Sequence, residues 1–302
     1  MNLIKSVVAG VARSSQSLKQ FSVPLRCFGA KSSDNALTLT PPFTVPSRSY
    51  SRKPSTCDIC LFPPDKRPCF DIRTVTIERG TLCHARMIRS FLYTHFWPRE
   101  PSVAGLWMSL DCPYLDVLTD KYANSGDRLL AFEHMARTGE RKLVGVTVAN
   151  KIHPWVPDEL EDWAHFTYSN PERNRMYFCA HCYRSPNLFN KYHVKYIYDV
   201  EVLATAAEVT GQGVGTKLLR TLLEHAQELR HPLVQVVATS QYTSKICEKC
   251  GMKREWTMDY SDFVDEKGQR VFFPRRPHHT VAIYTKHHDP KVPPPQPCLP
   301  PF

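Results

Sequence analysis

The chain of 302 residues contains no apolar run long enough to cross a bilayer, so no transmembrane helix or membrane insertion is expected. It shows no secretory signal. Its 11 cysteines, an odd number thinly spread, are therefore expected to be mainly reduced thiols in an intracellular protein rather than a disulfide framework. Acidic residues are missing from the first 33 positions, which hold Lys5, Arg13, Lys19, Arg26 and Lys31 among many serines. Leu3, Ile4, Val7, Val8 and Val11 can line one helical face there. That composition suits a mitochondrial transit peptide over 1–34, cleaved somewhere after Arg26; a disordered basic tail or a spurious N-terminal extension is the alternative. The expected location is mitochondrial or cytoplasmic.

Prolines thin out in the middle. Of 25, eight fall in residues 1–68 and seven in 289–302, which marks 35–68 as a linker and 289–302 as a disordered tail. The core is expected over 69–288. Charge divides the same way. The net charge is +10, but residues 1–68 carry ten Lys/Arg against three Asp/Glu, leaving only +3 for the rest. A nucleic-acid partner for the folded part is therefore not expected.

Three cysteine pairs have CxxC spacing: Cys57/Cys60, Cys179/Cys182 and Cys247/Cys250. Two such pairs can make a zinc site. Cys247 and Cys250, however, sit in a helical pattern as small core residues, and the other pairs flank no finger-like segment. No metal is expected, and none of the pairs opens a helix after a strand as a redox motif does.

Arg73–Glu78 alternates and reads as the first strand. Thr81–Trp97 is amphipathic and stops at Pro98. A second helix is expected around 112–123. Arg128–Met135 and Lys142–Ala149 read as strands joined through Thr138-Gly139-Glu140. Residues 151–192 hold two helical patterns rich in aromatics. The stretch around which the rest is arranged follows. Tyr196–Ala204 is β-branched and aromatic, with Tyr196, Tyr198, Val200, Val202 and Ala204 on one face. Thr210-Gly211-Gln212-Gly213-Val214-Gly215-Thr216 then packs three of the chain's 12 glycines into five residues. Val214, Leu218, Leu219, Leu222, Leu223, Ala226 and Leu229 recur at helical spacing, with Lys217 and Arg220 opposite. Glycines between strand and helix let a ligand approach the backbone, and the free N–H groups with the helix dipole suit a phosphate. A tight turn with no ligand is the plainer alternative. Leu233–Ala238 reads as a buried parallel strand, and Ser240 as the cap of a helix closed by Gly251. Lys253–Tyr260 and His279–Tyr284 read as final strands. The class is α/β (α+β) with a mixed sheet, antiparallel strands leading into a parallel β-α-β unit.

This order, with Gly211–Leu219, resembles the GNAT acyltransferase superfamily. Thr239-Ser240-Gln241-Tyr242-Thr243-Ser244, Glu248–Met252, Met258–Phe263 with Val271–Pro274, and Phe96–Pro101 look most like the insect-type arylalkylamine (dopamine) N-acetyltransferases. The resemblance covers about 70–287 and is loose in the insert. It implies transfer of an acetyl group from acetyl-CoA to a small amine, including an arylalkylamine. Leu203, Ala204 and Thr205 would present a strand edge to the thioester, and Gly211, Gln212, Gly213, Val214, Gly215 and Thr216 would offer donors to the pyrophosphate. Ser244 and Cys247 would meet the pantetheine arm. Glu100 would take the amine's proton; a surface carboxylate beside Arg99 is the other reading. Thr239, Tyr242 and Thr243 supply hydroxyls for the departing thiolate, or serve as cap and core. Trp155, Trp163, Phe166, Tyr168, Tyr177 and Phe178 would line an acceptor pocket or form a local core. One departure stands out. The superfamily places Gln or Arg at the position of Thr210, so a cation beside the pyrophosphate is missing there. A non-catalytic acyl-CoA-binding protein on the same fold and a zinc-containing nucleic-acid binder are the alternatives.

Overall fold

The computed structural model describes residues 70–288 apart from 136–138 and 266. The expected transit segment 1–34, the linker 35–68, the tail 289–302 and Cys57/Cys60 lie outside the described residues.

Seven strands form one sheet in the order β1-β2-β3-β4-β5-β7-β6. They are β1 (Val75–Arg79), β2 (Asp127–His134), β3 (Arg141–Ile152), β4 (Ile197–Thr205), β5 (Leu233–Ala238), β6 (Lys253–Asp259) and β7 (Thr280–His287). Neighbours are antiparallel except β4 and β5. That parallel pair is bridged by a helix, as a crossover requires. The mixed α/β class and the order of its elements are as the sequence predicts.

The helices are α1 (Ala85–Phe91), α2 (Pro113–Asn124), α3 (Val156–Phe166), α4 (Asn170–Arg184), α5 (Leu188–Tyr192), α6 (Val214–Glu228) and α7 (Gln241–Lys249). The crossover helix α6 buries Val214, Leu218, Leu219, Leu222, Leu223 and Ala226, the predicted stripe, against the sheet. Helix and sheet meet closely at Gly145 of β3: a Cβ there would lie 2.7 Å from Leu218 Cδ1 and 3.1 Å from Val214 Cγ1. Leu229, predicted for the same stripe, lies past the helix end and is exposed. Lys217, predicted for the outer face, turns back instead, and its Nζ donates to the carbonyl of Val75 at 2.5 Å.

Other boundaries shift for local reasons. Arg73 and Thr74 belong to a 3-10 turn capped by Asp71, so β1 starts at Val75. The predicted Thr81–Trp97 helix is regular α only over α1. It widens to π turns over Leu92–Phe96 and tightens to a 3-10 turn over Trp97–Arg99, where Pro98 cannot continue the ladder. Residues 151–192 hold three helices, because Pro186 and the left-handed Asn187 separate α5 from α4. The predicted alternation of Tyr196–Ala204 is also interrupted. Val200 pairs with Ala149 and Val202 with Val148, so Glu201 is an extra residue in β4. Before it, both faces of the strand are buried; after it, Val202 and Ala204 are buried while Leu203 and Thr205 are half-buried.

Asp199 lies just before the bulge with 1 % of its surface exposed. It accepts from Tyr183 Oη at 2.8 Å and from Gln235 Nε2 at 3.1 Å. Burial, and next the charge of Glu201, push its pKa up from 3.8 to about 7. The folded protein therefore holds a proton that the unfolded chain releases near pH 4, and stability falls as pH rises from about 4 to about 7. In Asp199→Asn this loss should vanish. Denaturant unfolding should show the variant more stable than the parent at pH 7.5 and level with it near pH 4; Gln235 can still donate to the amide oxygen, and Tyr183 can accept from the amide nitrogen.

Candidate functional site

The ladder between β4 and β5 is short. It joins Tyr198–Val200 to Val234–Val236 and stops, while β4 runs on to Thr205 and β5 to Ala238. The N–H of Ala206 donates to the carbonyl of Val144 on the β3 side. In an antiparallel pair the backbone groups alternate sides with period two. The N–H and C=O of Leu203 and Thr205 therefore point the other way, toward the opening beside β5. The carbonyl of Thr205 does so visibly, since it accepts from Arg99 Nη1 at 3.0 Å. Ala204 faces β3, so its amide is not presented to the opening, which corrects the expectation for that residue.

The glycine turn adjoins this opening. Gly211 and Gly213 have φ of +82° and +91°, and nothing lies within 4 Å of a Cβ built on either. The positive φ favours glycine, and the open surroundings leave the backbone bare. Gly213 caps α6, so the N–H groups of Val214, Gly215 and Thr216 form the helix's unpaired first turn. Gln212 differs from its predicted role: its N–H donates to the carbonyl of Val209 at 3.2 Å and is spent within the turn. At Gly215 a Cβ would come within 2.9 Å of Ile246 Cδ1, so α6 and α7 close against each other there.

Across the opening, α7 begins at its cap Ser240. Ser240 Oγ accepts from the N–H of Thr243 at 3.0 Å and shares a 2.8 Å hydrogen bond with Thr243 Oγ1. The Thr243 hydroxyl is thus engaged in the cap. Thr239 is half-buried, and its carbonyl accepts from Tyr260 Oη at 2.8 Å. Ser244 is half-buried with its hydroxyl 3.4 Å from the carbonyl of Ser240. Cys247 is 0 % exposed, and burial pushes its thiol pKa up. It is a core residue, one position beyond the Ile246 that faces α6, and does not line the opening as predicted. Tyr242 is exposed, with its ring edge-on to His278.

Glu100 is brought to this region by a segment anchored on both sides. Trp97 is fully buried, with Nε1 donating to Thr119 Oγ1 at 2.7 Å. Pro101, Ser102 and Val103 are buried in a helical turn that Glu100 caps. Glu100 Oε1 accepts from Ser102 Oγ at 2.8 Å and Ser102 N at 3.3 Å. Its Oε2 has no hydrogen-bond partner among the described residues. The surface reading of Glu100 is excluded, since only 9 % of the residue is exposed. The carboxylate acts electrostatically on Tyr260, whose phenol is raised first by burial and then by Glu100. It also acts on His278, whose pKa burial lowers and Glu100 partly restores.

The predicted aromatic pocket does not assemble. Trp155, Phe166 and Tyr168 are exposed, because Trp155 precedes α3 and the other two lie at its end and beyond. Phe178 is buried in a cluster with Tyr260, Phe263 and Phe272. Trp163 and Tyr177 are half-buried. The insert contributes instead Arg175 of α4. It is buried, donates to Tyr114 Oη at 3.0 Å and lies over the rings of Trp97 and Tyr114. Nothing in the periodicity of residues 151–192 marks it. Arg99 has a signal in sequence, its place next to Glu100, but its reach to Thr205 is a tertiary fact.

No protein-family model matches the chain. Solved structures do. An arylalkylamine N-acetyltransferase-like 5b from mosquito superposes with a TM-score of 0.64 at 21% identity, over 71% of this chain and 100% of that one. The chain has the GNAT fold. The Drosophila melanogaster polyamine N-acetyltransferase, an enzyme that forms N-acetylagmatine, gives a TM-score of 0.61 at 21% identity over 71% and 100%. Arylalkylamine N-acetyltransferase 2 from Aedes aegypti gives 0.60 at 17% over 70% and 98%. At these identities the likeness is one of fold, and it extends over the whole of each neighbour's chain or nearly so. Within the GNAT fold the described residues include no group of three or more His, Cys, Asp or Glu able to hold a metal, and no helix long and apolar enough to cross a membrane. Cys179 and Cys182 are two free thiols of α4, Cys182 buried and Cys179 partly so.

The glycine turn yields a direct test. Gly213→Ala should cost about 1–2 kcal/mol in equilibrium unfolding, the price of a left-handed conformation for an L-residue. The added methyl meets no neighbour, so Gly213→Asn, which tolerates that conformation better, should cost less.

Proposed function

We propose that the protein is an N-acetyltransferase that moves an acetyl group from acetyl-CoA to the amine of a small acceptor. One observation carries this reading: the N–H groups of Leu203 and Thr205, which have no partner among the described residues, and the bare first turn of α6 adjoin one opening between β4 and β5. An extended amide-bearing arm ending in a phosphate-rich group fits such a surface, since it can pair with a strand edge at one end and with a helix N-terminus at the other. Acetyl-CoA supplies the activated thioester.

The chain's own residues supply the rest. The N–H of Leu203 or Thr205 would donate to the thioester oxygen as negative charge develops there. Gly213, Val214, Gly215 and Thr216 would donate to the phosphates. Glu100 Oε2 would accept the amine's proton, directly or through a water, as the nitrogen attacks and the carbon–sulfur bond breaks. Ser102 holds the other carboxylate oxygen and fixes the orientation. The departing thiolate would accept a hydrogen bond from the hydroxyl of Thr239, the better placed of the two threonines because Thr243 is engaged by Ser240, and would take its proton from water or from the protonated Glu100. The neighbours' amine substrates support a small amine for this chain too, including an arylalkylamine. The acid-free N-terminus supports mitochondrial import ahead of a cytoplasmic location, and the proline pattern supports a single catalytic domain over 69–288.

Release of free thiol from acetyl-CoA with a panel of arylalkylamines and polyamines tests the reading. Glu100→Gln should lower kcat about 10²- to 10⁴-fold near neutral pH and leave acetyl-CoA binding unchanged. Firm acetyl-CoA binding with no amine-dependent thiol release from the parent protein would favour a non-catalytic acyl-CoA-binding role.

A further inference from the structure

We infer that Arg99 is the cation that meets the phosphates of the bound acyl carrier, taking over in space what position 210 does not provide. The inference rests on the acyl-CoA reading and adds a residue of a different element to it.

Position 210 is a threonine, so the turn before α6 offers a hydroxyl and no charge. Arg99 reaches that hydroxyl. Its Nη2 lies 3.3 Å from Thr210 Oγ1 while its Nη1 donates to the carbonyl of Thr205 at 3.0 Å. The guanidinium therefore spans from the end of β4 to the glycine turn, more than a hundred residues away in sequence. It is exposed, and both of its partners are neutral. It forms no ion pair with a carboxylate among the described residues.

Two other basic groups near the turn are committed elsewhere, and the exposed Arg220 lies one turn further along α6, beyond Thr216. Lys142 is paired with Glu208 at 2.5 Å, which also neutralises the turn's own acid. Lys217 turns away from the opening to the carbonyls of Val75 and Ile72. Arg99 is the cation that reaches the turn itself, through Thr210, without a carboxylate partner among the described residues. A planar guanidinium can exchange a carbonyl and a hydroxyl for two phosphate oxygens, and the charge-assisted bonds are the stronger ones. Its backbone is held firmly enough for the purpose. Trp97 and Pro101 are buried on either side, and the N–H of Ala207 reaches back to His95 Nδ1 at 3.4 Å. Adjacent residues of one segment thus serve the two substrates, Arg99 the carrier and Glu100 the amine.

Calorimetry on the full chain with coenzyme A and with pantetheine, which lacks the phosphates, tests this. Arg99→Ala should weaken coenzyme A binding about 10- to 100-fold and leave pantetheine binding within twofold of the parent. Adding Thr210→Arg to Arg99→Ala should recover most of the loss. Equal loss for both ligands would show that Arg99 only shapes the turn, and an unchanged coenzyme A affinity would remove it from the site; either overturns the inference. If the parent protein binds neither ligand, the acyl-CoA reading fails along with it, a result distinct from both of these.

Discussion

The backbone ladder between β4 and β5 is three residue pairs long, and the site depends on its being so short. Tyr198, Asp199 and Val200 meet Val234, Gln235 and Val236. Beyond them the strands part, and backbone groups that a continuous sheet would satisfy are left facing an opening. A buried unpaired amide is costly, so such an edge persists only where water or a ligand can reach it. The bulge at Glu201 falls at the point of parting. An extra residue bends and twists its strand, and this one is pinned by Lys121 and Asn150. The divergence is thus built into β4 and supported from β3 and α2.

A second constraint holds the other half of the site in place. Trp97 is sealed in the core, hydrogen-bonded to Thr119 and stacked near Tyr122. The polypeptide on either side of it must then pass the end of β4. Gly105 completes the tether, with its carbonyl accepting from Phe273 N at 2.8 Å and no room for a Cβ beside Pro101 O. Between these anchors Arg99 faces the turn and Glu100 is turned inward. The chemistry proposed for each follows from which way the backbone leaves Trp97.

Much of this was legible in the residues. The strand, glycine turn and helix over 196–229 carry strong periodicity and a rare concentration of glycine, and the structure places them within a residue or two of expectation. Ser240 as cap and Gly251 as closure are local signals, and local signals survive folding. What the sequence did not disclose depends on distant pairing. The bulge at Glu201 exists only relative to β3. Which amides of 203–205 face the opening follows from register, so Ala204 could not be separated from its neighbours. Cys247 and Ile246 are adjacent apolar positions on one helix, and only the packing of α6 decides which meets it. The aromatic residues of 155–178 looked like a pocket by composition, but Trp155, Phe166 and Tyr168 sit at or just past helix ends and stay exposed, Trp155 stacked on His153.

The central claim is that the open edge of β4 receives the carrier's arm. Amide hydrogen exchange at Leu203 and Thr205 measures this directly, in free protein and with saturating acetyl-CoA. The account predicts fast exchange at both amides in the free protein and protection of at least one of them by tenfold or more on binding. Exchange that stays equally fast at both with acetyl-CoA bound would contradict it.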